Sequence, residues 1–275
     1  MAEPTELIIE AGRSERNYWR DLWNYRELFY FLAWRDTLVR YKQTAIGIAW
    51  ALIRPLVTML VFTIVFGKIA GLPSGGAPYP LLVFAAVLPW QFFSSAFSEA
   101  GNSLVANSGM LSKIYFPRLI IPTSAVITSF IDFLVSAVIL FGLLVWYGHL
   151  PDWRIFTLPL FTALAFAAAM GCGIWMAALN VTYRDFAYVI PFILQLGLYI
   201  SPVGFTSAVV PEQWRLLYSL NPMVSVIDGF RWAILGGNFQ IYWPGFLLSV
   251  ATIALILLTG IRHFRRTEKT FADVV

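Results

Sequence analysis

Apolar runs recur along this chain at lengths that fit a lipid bilayer. Six of them occupy residues 45–66, 81–97, 119–146, 155–179, 186–200 and 242–263. A helix needs about 20 mostly apolar residues to cross the hydrocarbon core. The fifth run is short, and more apolar sequence follows it, broken by Pro202 and Gly204. The pattern predicts an all-α integral membrane protein with six transmembrane helices. Ahead of the first run, Tyr18, Leu22, Tyr25, Phe29 and Leu32 recur in steps of four and three, which places them on one helix face. Arg13, Arg16, Arg20 and Glu27 fall on the other side. This segment reads as an amphipathic helix lying along the membrane surface with its aromatic face down. The stripe degrades past Tyr30, and a helix packed on a partner protein is the other reading.

The connections differ in kind. Residues 99–122 are long enough for a short helix carrying Leu111, Lys113, Ile114 and Tyr115, ended at Phe116 and Pro117. Residues 180–185 make a short polar turn. Residues 201–241 form neither a loop nor a full span: their apolar pieces, 203–210 and 223–235, are punctuated by Pro202, Pro211, Pro222, Gly236 and Gly237. Proline ends helices, and irregular backbone at membrane depth must face protein or water. The two pieces read as short helices re-entering the outer leaflet beside a pore mouth.

Composition narrows the class. The chain is 59% hydrophobic and 12% charged, about half the charge of a soluble domain. It divides into a cytoplasmic tail with its interface helix (1–44), a six-helix transmembrane domain (45–263) and a C-terminal tail (264–275). The net charge of +4 is spread over tails and short loops, which suits anionic lipid head groups rather than a nucleic acid. Residues 1–14 lack the apolar core of a cleavable leader. Positive loops stay cytoplasmic. Both tails, with Lys113, Arg118 and Arg184, carry most of the Lys and Arg, and only Lys68, Arg154, Arg215 and Arg231 fall on the other side. Both termini are therefore expected in the cytoplasm.

Catalytic patterns are missing from the sequence. It holds no Walker-type phosphate loop, no HExxH and no CxxC. His149 and His263 fall on opposite sides, and Asp152, Glu212 and Asp228 are scattered. Active transport must then draw on a gradient or on a partner. Two charges sit deep in predicted spans: Arg54, ~13 Å from the cytoplasmic end of the first, and Asp132, ~20 Å into the third. Each costs ~3 kcal/mol facing lipid, so both are expected to face protein or water: they pair, Arg54 snorkels to the interface, or they line a substrate path. One such pair is not a proton relay, which favours an ATP-dependent partner.

Several segments, in order, carry a resemblance. Arg40-Tyr41-Lys42-Gln43-Thr44 leading to Gly47-Ile48-Ala49-Trp50 and Arg54-Pro55 resembles the approach to the first span of polysaccharide-export ABC permeases. Tyr183-Arg184-Asp185-Phe186 with Pro191 is similar to their turn between spans four and five. Ser201-Pro202-Val203, Pro211, Trp214-Arg215 and Leu220-Asn221-Pro222-Met223 resemble their outer re-entrant segment. The chain looks like the Wzm- and TagG-like group, exporters of O-antigen, capsule or teichoic acid on a lipid carrier. The resemblance implies a homodimer in the bacterial inner membrane with a pore between the copies. It also implies a cytoplasmic ATPase subunit that binds ATP and magnesium, this chain itself holding no cofactor and no metal. Leu111, Lys113, Ile114, Tyr115, Tyr183, Arg184 and Asp185 would dock on that subunit. Tyr18, Trp19 and Trp23 would belong to a gate helix, and Pro202, Asn221 and Pro222 to the outer gate.

A sugar polymer presents apolar ring faces, so aromatic rungs let it slide without one strong site. Trp50, Phe62, Phe66, Trp90, Phe92, Phe93, Tyr199 and Phe205 are candidates to line such a path, although aromatic residues also gather at membrane interfaces. Export of a small lipid or drug by a similar permease, and a membrane enzyme modifying a lipid-linked glycan, remain alternatives at this level.

Overall fold

The computed structural model describes residues 18–42, 49–111, 116–237 and 239–271. Regular structure among them is helical. The N-terminal segment forms α1 (Tyr18–Asn24) and α2 (Arg26–Lys42). Then come α3 (Ala49–Phe62), α4 (Tyr79–Ala106), the single turn α5 (Ser108–Leu111), α6 (Ile120–Trp146) and α7 (Leu158–Thr182). The chain continues through α8 (Phe186–Ile200), α9 (Glu212–Tyr218), α10 (Pro222–Leu235) and α11 (Trp243–Thr267). Among the described residues five helical stretches are long and apolar enough to cross a membrane: Ala49–Ile69, Tyr79–Ala106, Ile120–Trp146, Trp153–Thr182 and Trp243–Thr267. The sixth predicted run forms the shorter apolar helix Phe186–Ile200.

α4 is the axis of the fold. It packs against α3, α6, α7, α8 and α10, and residues 81–90 are buried without a break. In its apolar window 78% of residues are buried, against 6% in that of α3, so α3 lies at the edge of the protomer. Lipid tails are as apolar as leucine, so helices in a membrane associate by close packing, which small residues permit. α7 supplies Ala165, Ala169, Gly173 and Ala177 at four-residue intervals, all buried, and α4 answers with Ala96 and Ala100. A Cβ on Gly173 would lie 2.6 Å from the Ala100 Cβ. That contact sets how near the two helices come.

Two helix ends show local chemistry. Asn221 caps α10 by accepting the Met223 N–H at 3.0 Å, and Pro222 follows where its missing amide costs nothing. The same helix stops at Gly236, whose φ of 58° and ψ of −141° admit only glycine comfortably. α3 continues past Phe62 as seven residues of π-helix, Thr63–Ile69.

Two expectations are corrected. The apolar piece 203–210 is not a helix: apart from one 3-10 turn, Ser207–Val209, it is irregular, and the first short outer helix is Glu212–Tyr218. The backbone of 203–205 is occupied by side-chain donors instead of by its own turns, as shown below. The N-terminal helix also faces otherwise than read. Its stripe of Tyr18, Leu22, Tyr25, Phe29 and Leu32 packs on a second cluster of the protein itself, with Leu104, Leu111, Phe116, Leu119, Val181, Phe264 and Phe271. Because these residues come from both described ends of the chain and from the ends of α4, α6 and α7, those ends share one side of the molecule.

Candidate transport pathway and coupling surface

Asp132 on α6 is shielded, but not by Arg54. It accepts hydrogen bonds from the Arg40 guanidinium and the Tyr41 hydroxyl at the end of α2. Arg40 reaches on to Glu99 of α4, with Nη2 2.9 Å from Oε1. Burial works against the Arg40 charge, yet Glu99 and Asp132 outweigh it and hold the guanidinium pKa above its ordinary value. Burial and then the bond to Asp132 push the Tyr41 phenol up. Ser136, one turn beyond Asp132, donates to the Asp132 and Ala51 carbonyls, both at 2.9 Å, and so ties α6 to the start of α3. Together with Trp50, Arg54, Gln91, Phe92 and Ser95 these groups line a polar cavity of about 270 Å³.

Arg54 does not pair with Asp132. Its residue is exposed on the single chain, because α3 packs only one flank on the bundle. It shares the cavity wall with Asp132 without pairing to it.

The candidate aromatic rungs separate into two groups. Trp90, Phe92 and Phe93 are buried inside the protomer, since they project from the central helix α4. Trp90 packs on Phe93 and Phe92 on Phe130, Phe133 and Phe166. Of these three, Phe92 also borders the polar cavity. Trp50 and Tyr199 are exposed, and Phe62, Phe66 and Phe205 are half-buried. This second group sits on α3, α8 and the outer loop.

At the other end of the bundle the structure contains a buried charge that the sequence reading placed among ordinary outer residues. Arg231 of α10 is 1% exposed. It donates to three carbonyls: Leu82 at 3.2 Å, Phe205 at 2.7 Å and Val203 at 3.1 Å. Asp228, one turn earlier, accepts from Ser207. The signal was available: an acid and an arginine three residues apart inside an apolar run. Of the proposed outer gate residues, Pro202 is buried, and Asn221 joins the loop to α10 by donating to Ser201 Oγ at 2.9 Å.

The coupling candidates also divide. Leu111 is buried in the cluster beneath the N-terminal helix, so its side chain is not on a surface. Lys113, Ile114 and Tyr115 lie outside the described residues, as does the segment 43–48. Residues 182–185 form an exposed run at the turn from α7 to α8, and Asp185 precedes α8 without capping it. In the N-terminal helix Tyr18 is buried, with Arg265 stacked 4.7 Å above its ring, whereas Trp19 and Trp23 are exposed. Glu268 accepts the Arg118 backbone N–H at 2.7 Å, which fastens the end of α11 to the start of α6.

Known proteins place this arrangement. Residues 27–235 match the family described as ABC-2 type transporter. An O-antigen export system permease protein, RfbA, from Myxococcus xanthus is 27% identical over 263 residues, covering 93% of this chain and 98% of the relative. A protein of the same name from Klebsiella pneumoniae is 25% identical over 249 residues, 88% of this chain and 92% of its own. The polysialic acid transport protein KpsM of Escherichia coli is 24% identical over 240 residues, 86% and 91% of the two chains. The family match spans α2 to α10 and so takes in the polar cavity, the exposed turn and the buried arginine: this chain belongs to the ABC-2 type transporter family.

Proposed function

We propose that this chain is the permease subunit of an ATP-driven exporter of lipid-linked polysaccharide, O-antigen being the favoured cargo. The observation that carries the reading is the near-complete alignment with relatives named for O-antigen export and for polysialic acid transport. Two chains form the pore, and each pairs with a cytoplasmic ATPase that binds ATP and magnesium. The chain crosses the bacterial inner membrane six times with both termini in the cytoplasm, and α9 and α10 re-enter the outer leaflet. The second group of aromatic residues, on the flanks that the single chain leaves open, supplies surfaces for sugar rings. The exposed run 182–185, together with residues 112–115, meets the ATPase.

The test is deletion and complementation in the native bacterium, with surface polysaccharide measured beside the amount of ATPase that co-purifies with the permease. Loss of surface polymer with accumulation of its lipid-linked form inside is the expected result. Unchanged surface polymer together with loss of a small lipid from the outer leaflet would replace this cargo by the second one considered above.

A further inference from the structure

The outer loop between α8 and α9 is held by side chains at almost every turn of its backbone. The Tyr218 hydroxyl donates to the Ile200 carbonyl at 2.7 Å. Asn221 takes Ser201, Arg231 takes the carbonyls of Val203 and Phe205, and the Tyr79 hydroxyl takes that of Gly204 at 2.8 Å. Ser207 is bound to Asp228, and Arg215 Nε donates to the Val210 carbonyl at 3.2 Å. A buried guanidinium whose three donors bridge two elements gives the loop one arrangement, because releasing any carbonyl leaves a buried donor unpaired. Residues 201–204 are buried accordingly.

The surface that meets this loop has the opposite character. Gly204 sits against Phe66 and Phe62 of α3: a Cβ there would lie 2.4 Å from the Phe66 ring. Phe66 belongs to the π-wound stretch Thr63–Ile69, none of whose residues is buried. Such winding is rare, usually a single turn, and recurs at functional sites. A polar group at its start is also unsatisfied. Thr63 Oγ1 is buried with no hydrogen-bond partner, whereas Thr58 in the preceding α-helical turn donates to the Arg54 carbonyl four residues back at 2.9 Å. Rewinding the stretch to α-helix would turn each successive residue ~15–20° further about the axis, carrying Phe66 ~50° away from Gly204.

We infer that the loop 201–206 is a fixed abutment positioned by Arg231, and that the π-wound end of α3 is the part of the outer closure that moves. This rests on the transporter reading above. The test is hydrogen exchange on the complete permease–ATPase complex in lipid nanodiscs, at rest and trapped with ATP and vanadate. Peptides covering 63–70 should change exchange at least tenfold between the two states, while those covering 201–206 stay within twofold. A change confined to 201–206, in both segments, or in neither would overturn the inference. In the resting complex Arg231→Lys, which keeps the charge but cannot span three carbonyls, should speed exchange of 201–206 at least tenfold. Tyr79→Phe gives the same reading, with a smaller rise, if the lysine variant does not accumulate, and unchanged loop protection would remove the positioning role. Polymer export assayed with the same complex reconstituted in sealed proteoliposomes separates the two claims. ATP-driven change at 63–70 without export sinks the cargo alone, and export without that change sinks the moving part alone.

Discussion

Asp132 holds a place in the bundle that its position in an apolar run would otherwise forbid, and Arg40 and Tyr41 explain how. The Arg40 and Asp132 side chains are 30% and 23% exposed, so the pair is partly screened, and its coupling should amount to ~1–3 kcal/mol rather than the full value of a dry pair. Arg40→Leu and Asp132→Leu, measured singly and together by the fraction of folded protein in detergent, should show that coupling. Arg54→Leu combined with Asp132→Leu should be additive. Additivity for the Arg40 pair would mean that Asp132 is held by other groups. A second residue sets a pH dependence. Burial raises the Glu268 carboxyl above its ordinary 4.5, against the lowering effects of Arg118 and Arg265. A carboxyl whose folded pKa is raised holds its proton longer in place than when displaced. Attachment of the C-terminal end is therefore strongest below the ordinary value and weakens as pH rises through the raised one. Spin labels at Trp23 and Arg266 should report a distance distribution that narrows on acidification from neutral pH. The dependence should vanish in Glu268→Gln.

Among the elements, the most legible were those whose physics is linear in sequence. Five of the apolar runs became long helices and the sixth a shorter one, because length and hydropathy alone meet the demands of a bilayer. What escaped was three-dimensional. The stripe on the N-terminal helix was visible, but periodicity cannot say whether an aromatic face meets lipid or the protein's own Phe264 and Phe271. Residues 203–210 are apolar enough for a helix, yet their carbonyls go to Arg231, a partner some 26 residues away. The small-residue stripe of α7 was present as Ala165, Ala169, Gly173 and Ala177, and its meaning depends on α4 lying opposite. That juxtaposition makes a sharp comparison. Gly173→Ala places a methyl 2.6 Å from Ala100, a rigid neighbour, and should cost ~1–3 kcal/mol through helix separation. Gly142→Ala on α6, with nothing within 4 Å, should be neutral or stabilise by up to ~1 kcal/mol. Thermal unfolding of the two variants in the same detergent checks both signs, and equal losses would show that the α4–α7 contact yields.

At the scale of the whole molecule, the proposed function has a separate ATPase drive this chain through surfaces at the end that carries both of its described termini. That end is largely closed within the chain: Leu111, Phe116, Leu119, Phe264 and Phe271 are buried together under the N-terminal helix. The turn 182–185 is not. Tyr183 is 59% exposed, and Asp185 leaves the first amides of α8 uncapped by its side chain, so a local capping role does not account for it. On the proposed coupling role, charges on a short turn that joins two membrane helices would transmit a push to both. The Arg184→Ala, Asp185→Ala double variant should therefore insert and dimerise at normal levels, its cost to stability staying within ~0.5 kcal/mol as for exposed substitutions elsewhere. Co-purified ATPase should fall, or ATP turnover should continue while polymer export drops at least tenfold. Membrane permease, bound ATPase and surface polysaccharide measured in the same cells distinguish the two. Normal export by a stably expressed double variant would remove this turn from the coupling path and leave the segment 99–117 as the docking candidate.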